Sequence, residues 1–203
     1  RAAHPLAEGE PPRDMLDLLL LAHDDDGSSL SRQQVRDQVV TFIVAGHETV
    51  ASALTWAWHL LAENPEAADR LRAEVDAVCP GGSPRFADLP RLPYAAAVMD
   101  EVLRLYPPAW LVTRRAREAD VLAGVDVPEN SLVILSPWLV HRHESAWPDP
   151  EMFDPTRFLD ADGSRRRDIA TDAAYLPFGA GPRLCIGRDM ALLEGTLVLA
   201  GLI

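Results

Sequence analysis

Cys185 has the surroundings that most suggest chemistry, because it lies in the loop FGAGPRLCIG at 178–187 among three glycines. Gly179, Gly181 and Gly187 permit positive φ angles and a close backbone approach, so successive N–H groups can point at the sulfur. A helix is predicted to begin just after the loop, and its positive end adds to this effect. Both features stabilise a thiolate relative to a thiol. The loop therefore favours a sulfur that stays ionised while it is bonded to a partner.

Several partners for this sulfur can be compared. A zinc site takes four ligands, commonly from Cys-x-x-Cys pairs, whereas the chain has only two cysteines, Cys79 and Cys185. A cysteine nucleophile needs a histidine base, and the six histidines offer no spacing that marks one. A dinucleotide-binding G-x-G-x-x-G would need glycine where Leu184 stands. Iron held by one axial thiolate needs only Cys185, and a small buried apolar residue in a turn is the ordinary alternative.

A second candidate is the segment AGHET at 45–49, inside a long apolar helix. Gly46 loosens the helix, and the Thr49 hydroxyl can bond the carbonyl of Ala45 four residues before it. Together they predict a polar notch in an apolar helix. The alternative is an ordinary helical threonine beside Glu48 on the surface.

A third candidate is the pair Glu101 and Arg104, whose spacing puts carboxylate and guanidinium on one helical face. An ion pair on the protein surface accounts for such a spacing equally well. The residues alone leave both interpretations open.

The elements that must position these residues are mostly helical. Ser31 and Gln34 match a capping box, which predicts the start of a helix that continues to Glu63 and is apolar nearly all round after Val39. Asn64-Pro65 predicts a cap and the start of the next helix. Further helices are predicted at 14–22, 94–105 and after the cysteine loop, and short β-runs lie between 109 and 136 around a turn at Gly124. The fold class is mainly α with small β-sheets.

Composition excludes several functions. The net charge is −12 and no lysine is present, so phosphate-backbone binding is disfavoured and we expect no nucleic-acid partner. Lysine-based chemistry is excluded as well.

No uninterrupted apolar run approaches the ~18 residues of a membrane span, so no span is expected in this chain. Two cysteines fit a reducing compartment, and we expect a cytoplasmic protein, although an anchor before Arg1 stays possible.

Four segments, in order, resemble cytochrome P450. FGAGPRLCIG is similar to the haem-binding loop F-x-x-G-x-R-x-C-x-G, and AGHET is similar to A-G-x-[D/E]-T. The sequence at 101–104 matches E-x-x-R, and PTRF at 155–158 resembles P-x-R-F. The resemblance implies that residues 1–203 are a partial domain of that fold, without its N-terminal half and its final C-terminal sheet.

The resemblance also implies roles for particular residues. Glu48 and Thr49 would be the catalytic acid–alcohol pair, and Glu101, Arg104 and Arg157 would form an interior triad that holds the haem-loop region in place. The implied cofactor is haem b, with Cys185 as the ligand of its iron. Further residues are implied to bind the cofactor, namely Ala45, Gly46, Arg114, Phe178, Gly179, Gly181, Arg183 and Gly187. The two arginines among them would face its propionates.

The implied activity is that of a monooxygenase. It would insert one oxygen atom of O2 into a small apolar organic substrate, with electrons from a ferredoxin- or flavodoxin-type donor. Two alternatives stay open: a haem-thiolate enzyme of other chemistry, such as a peroxygenase or isomerase, and a non-catalytic truncated fragment. We expect residues 1–203 alone to aggregate or to bind haem weakly.

Three other groups are given no chemical role. Arg165–Arg167 is predicted to be a solvated loop. His141 and His143 lie in a segment that the family uses structurally, so neither is assigned to a metal.

Overall fold

The computed structural model describes residues 10–166 and 173–203. The chain divides into two compact units, one ending at Glu48 and one running from Thr49 to Ile203. Helix dominates and the sheets are small, as the sequence predicts. The helices are α1 (Met15–Leu21), α2 (Arg32–Glu63), α3 (Pro65–Val78), α4 (Pro93–Leu105), α5 (Pro137–Val140) and α6 (Arg188–Leu202). The strands are β1 (Val112–Arg115), β2 (Asp120–Leu122), β3 (Val125–Val127) and β4 (Leu132–Leu135), and 3₁₀ turns cover Phe86–Arg91, Pro155–Phe158 and Gly181–Arg183.

The first unit holds α1 and the first half of α2. The Asp14 side chain caps α1 by accepting the Asp17 N–H at 3.1 Å. The predicted capping box at the start of α2 is confirmed, because the Ser31 N–H donates to Gln34 Oε1 at 2.8 Å and the Gln34 N–H donates to Ser31 Oγ at 3.2 Å. Two of the unpaired N–H groups at this helix end are thereby satisfied reciprocally.

Length and composition would also allow α2 to cross a membrane. Its most apolar 18-residue window has a mean hydropathy of 1.2, and 11% of that window is buried. The core helix of a water-soluble protein and a signal sequence both pass the same test. The hydropathy of α2 therefore carries little weight for location.

The end of α2 corrects one prediction. Asn64 does precede α3, with Pro65 at the first helical position, but its side chain makes no capping bond to α3. Its Nδ2 donates instead to the carbonyl of Leu60 at 2.8 Å. The Asn64 amide thus satisfies a free carbonyl in the last turn of α2, a group that needs a partner as much as the first N–H groups of α3 do.

In the second unit, α4 is the centre of the core. Nearly every residue from Tyr94 to Leu105 is buried, against α3, α6 and the 3₁₀ turn at Pro155–Phe158. The Glu74 carboxylate of α3 accepts the N–H groups of Tyr94 and Ala95 at 2.8 and 2.9 Å, which caps the first turn of α4. The element that carries Glu101 and Arg104 is therefore tied in place at its start.

The packing of α4 against α6 is close at one point. A Cβ atom on Gly195 would lie 2.6 Å from Cε of Met99, well inside van der Waals contact. A larger residue at 195 would require the end of the Met99 side chain to move. This contact links the core helix to the helix that follows the cysteine loop.

The two sheets are two-stranded and antiparallel. β1 pairs with β4, with Val112 opposite Leu135 and Arg115 opposite Leu132. β2 and β3 form a hairpin whose turn contains Gly124 at φ +82°, where the sequence predicts a turn. This left-handed conformation favours glycine because it has no Cβ.

Candidate functional site

The cysteine loop, residues 178–187, leads directly into α6. The Cys185 N–H donates to the carbonyl of Phe178 at 3.0 Å, which closes the loop, and the Phe178 ring packs against the main core. Gly179 and Gly181 have φ angles of +75° and +69°. The loop therefore needs glycine at these two positions for its backbone path, as the sequence predicts.

The Cys185 side chain is a free, exposed thiol at this loop. This exposure contradicts the ordinary alternative of a small buried residue in a turn. Gly187 faces the sulfur, since a Cβ there would lie 3.9 Å from Sγ, and α6 begins one residue later. Cys79, at the end of α3, is half-buried and its thiol is also free.

The donor set at the loop fits an iron cofactor held by one axial thiolate. Among the described residues, no group of three or more His, Cys, Asp or Glu side chains is placed to hold a metal ion. A structural zinc site needs about four such ligands, whereas a haem iron can take a single cysteine sulfur. An exposed thiol on a glycine-shaped loop offers that one ligand.

The α2 candidates are divided between the two units. Ala45, Gly46 and Glu48 lie on α2 within the first unit and are exposed, and Thr49 is the exposed first residue of the second unit. All four are helical, in agreement with the predicted helix. Their catalytic and cofactor-binding roles stay predictions.

Glu101 and Arg104 form a pair that is completely buried. Arg104 Nε and Nη2 donate to the two Glu101 oxygens at 2.6 and 2.8 Å, and both side chains have no exposed area. The surface ion pair that the spacing also allowed is thus excluded. Burial raises the pKa of the Glu101 carboxyl, and the hydrogen bonds and charge of Arg104 oppose that shift.

Arg104 uses all five of its N–H donors. Besides the two bonds to Glu101, Nη1 donates to the carbonyls of His141 and Pro150 at 2.9 and 2.6 Å, and Nη2 donates to the carbonyl of Met152 at 3.1 Å. A guanidinium has five donors in a fixed plane. Arg104 therefore ties α4 to the segment 141–152 at three points.

Arg157 completes the set that the sequence grouped with Glu101. Its Nε lies 3.6 Å from Glu101 Oε1 and its Nη2 donates to the carbonyl of Asp149 at 3.0 Å. The same Glu101 oxygen also accepts the N–H of Asp154 at 2.8 Å. The structure thus brings Glu101, Arg104 and Arg157 together, and their role in holding the haem-loop region stays a prediction.

The two arginines assigned to propionates lie on separate elements and are both exposed. Arg114 is on β1, where its Nη1 donates to the carbonyl of Thr113 at 2.8 Å. Arg183 ends the 3₁₀ turn that precedes Cys185. Their guanidinium groups would suit carboxylates, but this assignment also stays a prediction.

Sequence reasoning missed a second buried cluster beside the loop. Asp100 is buried, and its carboxylate receives Arg165 Nε and Nη2 at 2.7 and 2.8 Å. The Tyr175 hydroxyl lies 3.0 Å from the Asp100 carbonyl oxygen and 3.1 Å from its Oδ1. The predicted solvated loop at 165–167 is therefore wrong for Arg165, because a buried carboxylate 65 residues away binds it; Arg167 lies outside the described residues.

His141 is the other residue whose place the sequence did not reveal. Its ring is fully buried between the end of α4 and the segment just before the cysteine loop. Its position next to His143 gave no sign of this, since the His143 ring is exposed and bonds to Ser145. A histidine inside an otherwise unpatterned segment carried no usable signal.

An open cleft of about 1180 Å³ lies beside the loop, between α4 and α6. Its wall carries charges of both signs and includes Phe178 and Leu184. The charged residues are four arginines and four aspartates, namely Arg91, Arg165, Arg166, Arg188, Asp100, Asp160, Asp162 and Asp189. No single charge dominates the wall, so we assign it no ligand.

Comparison with known proteins identifies the family. The model of the cytochrome P450 family matches residues 3–203. The chain is 48% identical over 190 residues to cyclooctatin synthase of Streptomyces melanosporofaciens, covering 93% of this chain and 40% of that protein. It is 43% identical over 187 residues to pentalenene oxygenase of Streptomyces avermitilis, covering 92% of this chain and 41% of that protein. The chain belongs to the cytochrome P450 family.

Solved structures agree with this assignment. The crystal structure of one cytochrome P450 haem domain matches with a TM-score of 0.82 at 35% identity, over 92% of this chain and 41% of the other. A second cytochrome P450 structure matches with a TM-score of 0.84 at 35% identity, over 100% of this chain and 46% of the other. The chain therefore has part of the cytochrome P450 fold and spans about two fifths of the length of the curated relatives it matches.

Proposed function

We propose that this chain is the part of a haem-thiolate monooxygenase that supplies the thiolate ligand and the proton-delivering helix. The observation that carries the proposal is the free thiol of Cys185, exposed on a loop whose backbone path depends on Gly179 and Gly181. The family membership and the relative named cyclooctat-9-en-7-ol 5-monooxygenase, 44% identical, support the same activity. Residues 1–203 would form one incomplete domain.

The cofactor would be haem b, which supplies the oxygen-activating chemistry once bound. Cys185 would hold it through the sulfur, and the electron density of a thiolate ligand would tune the cofactor for that chemistry. Arg114 and Arg183 would pair with its propionates, since both guanidinium groups are exposed. The remaining contacts would come from Ala45, Gly46, Phe178, Gly179, Gly181 and Gly187.

Proton delivery would fall to α2. Thr49 presents an exposed hydroxyl on this helix, and Glu48 directly before it is an exposed carboxylate. A hydroxyl can pass a proton that it receives from a neighbouring acid or from water. We propose that Glu48, Thr49 and ordered water move protons toward the substrate side of the site.

The substrate would be a small apolar organic molecule, with O2 as co-substrate. Two relatives are named for pentalenene and for cyclooctat-9-en-7-ol, which are molecules of this kind. Trp110 and Leu111, exposed just before β1, would offer apolar contact area. Electrons would come from a ferredoxin- or flavodoxin-type donor, and we propose a cytoplasmic location.

The first alternative, a haem-thiolate enzyme of other chemistry, is disfavoured by the presence of both Glu48 and Thr49. Enzymes that do not activate O2 have no need of a proton-delivering pair. The second alternative, a non-catalytic fragment, gains support from the short coverage of the relatives. Haem stoichiometry separates it from the proposal.

The test is the ferrous–carbonyl spectrum of the haem-loaded protein. We expect a thiolate-type band in the wild type, its complete loss in Cys185→Ser and no change in Cys79→Ser. The second variant is a matched control, because it removes the only other thiol. A thiolate-type band that survives in Cys185→Ser contradicts the ligand assignment, and the lack of haem binding by any form favours the non-catalytic alternative.

A further inference from the structure

The buried ring of His141 makes two hydrogen bonds to two different parts of the second unit. Its Nδ1 lies 3.1 Å from the carbonyl oxygen of Arg104, at the end of α4. Its Nε2 lies 2.7 Å from the backbone nitrogen of Leu176, two residues before the cysteine loop. The ring therefore spans the gap between the core helix and the loop.

The partners determine the protonation of the ring. Leu176 offers an N–H, which can only donate, so Nε2 must carry a lone pair and accept. Nδ1 faces a carbonyl oxygen, which can only accept, so Nδ1 must carry the proton. The neutral ring with its proton on Nδ1 satisfies both bonds, and no other protonation state does so.

The α4 side of this bridge is fixed from two directions. While Nδ1 of His141 donates to the Arg104 carbonyl, Nη1 of Arg104 donates back to the His141 carbonyl at 2.9 Å. The Arg104 guanidinium is itself held by both oxygens of Glu101. The ring thus projects from a part of the core in which hydrogen bonds hold both Arg104 and Glu101.

The loop side leads directly to the sulfur-bearing residue. Leu176 accepts the Gly179 N–H on its carbonyl at 3.1 Å, and Phe178, two residues after Leu176, accepts the Cys185 N–H at 3.0 Å. The residue before Leu176 is Tyr175, whose hydroxyl contacts Asp100 of α4. Two adjacent residues just before the loop are therefore attached to α4, and the second attachment runs through His141.

We propose that His141 is a positioning residue for the thiolate: by accepting the Leu176 N–H it ties the segment just before the cysteine loop to α4 and so places Cys185 for bonding. The proposal rests on the proposed function, because it takes Cys185 as the ligand. It adds a residue that the sequence analysis left without a role. It also provides a hydrogen-bonded route from the buried ion pair of α4, through His141, to the segment that leads into the cysteine loop.

Two substitutions separate the two bonds of the ring. In His141→Gln the side-chain oxygen can reach the position of Nε2 and accept from Leu176, while the bond to the Arg104 carbonyl is lost. In His141→Asn the shorter amide can donate at the position of Nδ1 to Arg104, while Leu176 is out of reach. Each variant loses one bond and keeps a polar side chain of moderate size.

The primary measurement is the ferrous–carbonyl spectrum of the haem-loaded protein during mild warming. We expect His141→Gln to keep the thiolate-type band like the wild type, and His141→Asn to lose it about tenfold faster, the effect of one unpaired buried donor. A matched control is His143→Asn, because His143 is exposed and bonds to Ser145; its band should not change. Because Asn is one methylene shorter than Gln, a role in packing alone would also favour Gln, and the local amide exchange at Leu176, described below, separates the two roles.

The possible results decide the proposal. Loss of haem or of the thiolate-type band in Asn but not in Gln supports it. Equal behaviour of the two variants, whether both keep the band or both lose it, overturns it, and so does a greater loss in Gln.

Amide hydrogen exchange at Leu176 distinguishes a failure of this inference from a failure of the proposed function. The positioning role predicts that the Leu176 amide is protected in the wild type and in Gln and exchanges about tenfold faster in Asn. This measurement does not require haem. If the wild type shows no thiolate-type band but the exchange pattern is as expected, the assignment of Cys185 as the ligand fails while the hydrogen bond from Leu176 to His141 stands. If the Leu176 amide exchanges at the same rate in all three proteins, the role of that hydrogen bond is overturned.

Discussion

Glu101 and Arg104, three residues apart on α4, form a two-bond ion pair at 2.6 and 2.8 Å with neither side chain exposed to solvent. Because the pair is buried, it differs in kind from the surface pairs that the same spacing usually forms. An isolated charge in such a place is costly, whereas an exposed charge is readily solvated. The consequence is a strong asymmetry between removing one partner here and removing one at the surface.

We therefore expect Glu101→Ala to lower the free energy of unfolding by about 3–5 kcal/mol. Arg104 would be left charged and buried, and Asp154 would lose the acceptor for its N–H. This is a large part of the roughly 5–15 kcal/mol that holds a domain together. The loss should be measured as a lower denaturation midpoint and a lower yield of soluble, haem-loaded protein, with near-normal turnover per haem in the molecules that do fold.

The matched control is Asp69→Ala on α3. Asp69 and Arg72 have the same three-residue spacing and a contact of 2.7 Å, but their side chains are 76% and 48% exposed. We expect this variant to have nearly the wild-type midpoint. If the two alanine variants unfold at the same midpoint, burial does not distinguish the pairs and the structural role of Glu101 is wrong.

A second prediction concerns the stability of the protein in acid. Burial, together with the charges of Arg104 and Arg142, lowers the pKa of His141 from 6.5 to about 4, with Tyr175 packed on the other side of the ring. Between about pH 6.5 and pH 4 the unfolded chain binds a proton at this position and the folded chain does not. The free energy of unfolding must therefore fall by about 3 kcal/mol in total as the pH is lowered through that window. Below pH 4 both states bind the proton, so the titration of His141 causes no further change.

Denaturation midpoints at several pH values between 4 and 7 measure this effect. His141→Gln cannot titrate, so its stability should decline less over the window than that of the wild type, by about the same 3 kcal/mol. His143→Gln, which changes an exposed ring, should follow the wild-type curve. Parallel curves for the wild type and His141→Gln would show that His141 is not buried in its neutral form.

A third prediction concerns proton delivery by Thr49. Valine has nearly the same shape as threonine but no hydroxyl, so in a complete enzyme Thr49→Val should bind haem and substrate normally. We expect the proton-transfer step to slow by roughly 100-fold, the lower end of what a positioned proton donor contributes, and the product formed per electron consumed to fall with it. Peroxide should account for the electrons that no longer reach product.

Thr55→Val tests whether the effect belongs to Thr49. Thr55 lies on the same helix, and its hydroxyl donates to the carbonyl of Ala51 four residues before it at 2.8 Å. The substitution removes the same group from α2 at a different position along the helix. An equal loss of coupling in both variants, or none in Thr49→Val, removes the proposed role.

Most helix ends and turns could be predicted because their signals are local. The capping box at Ser31, the proline that opens α3 at Pro65 and the glycine in the β2–β3 turn each act on neighbours within four residues in the chain. Such signals depend on backbone geometry that is the same in any fold. The error at Asn64 also has a local cause, since its amide could serve either helix end and bonds to Leu60.

The cysteine loop was equally readable from the sequence, because Gly179 and Gly181 need positive φ angles wherever the loop stands. The residues that pack around the loop could not be predicted from the sequence. Arg165 looked like part of a solvated basic loop until the structure placed it on Asp100, and His141 had no recognisable spacing to Leu176, 35 residues away.

The sequence by itself determined which residues carry charge, sulfur and conformational freedom, and how those on one helix are spaced. Only the tertiary structure decided that Glu101, Arg104, Asp100 and His141 are buried. The physical reason is that burial is a property of all the chain segments that pack around a residue. A carboxylate and a guanidinium three residues apart are the same chemical pair in water and in a core, and the long-range packing of α4 makes them a structural centre.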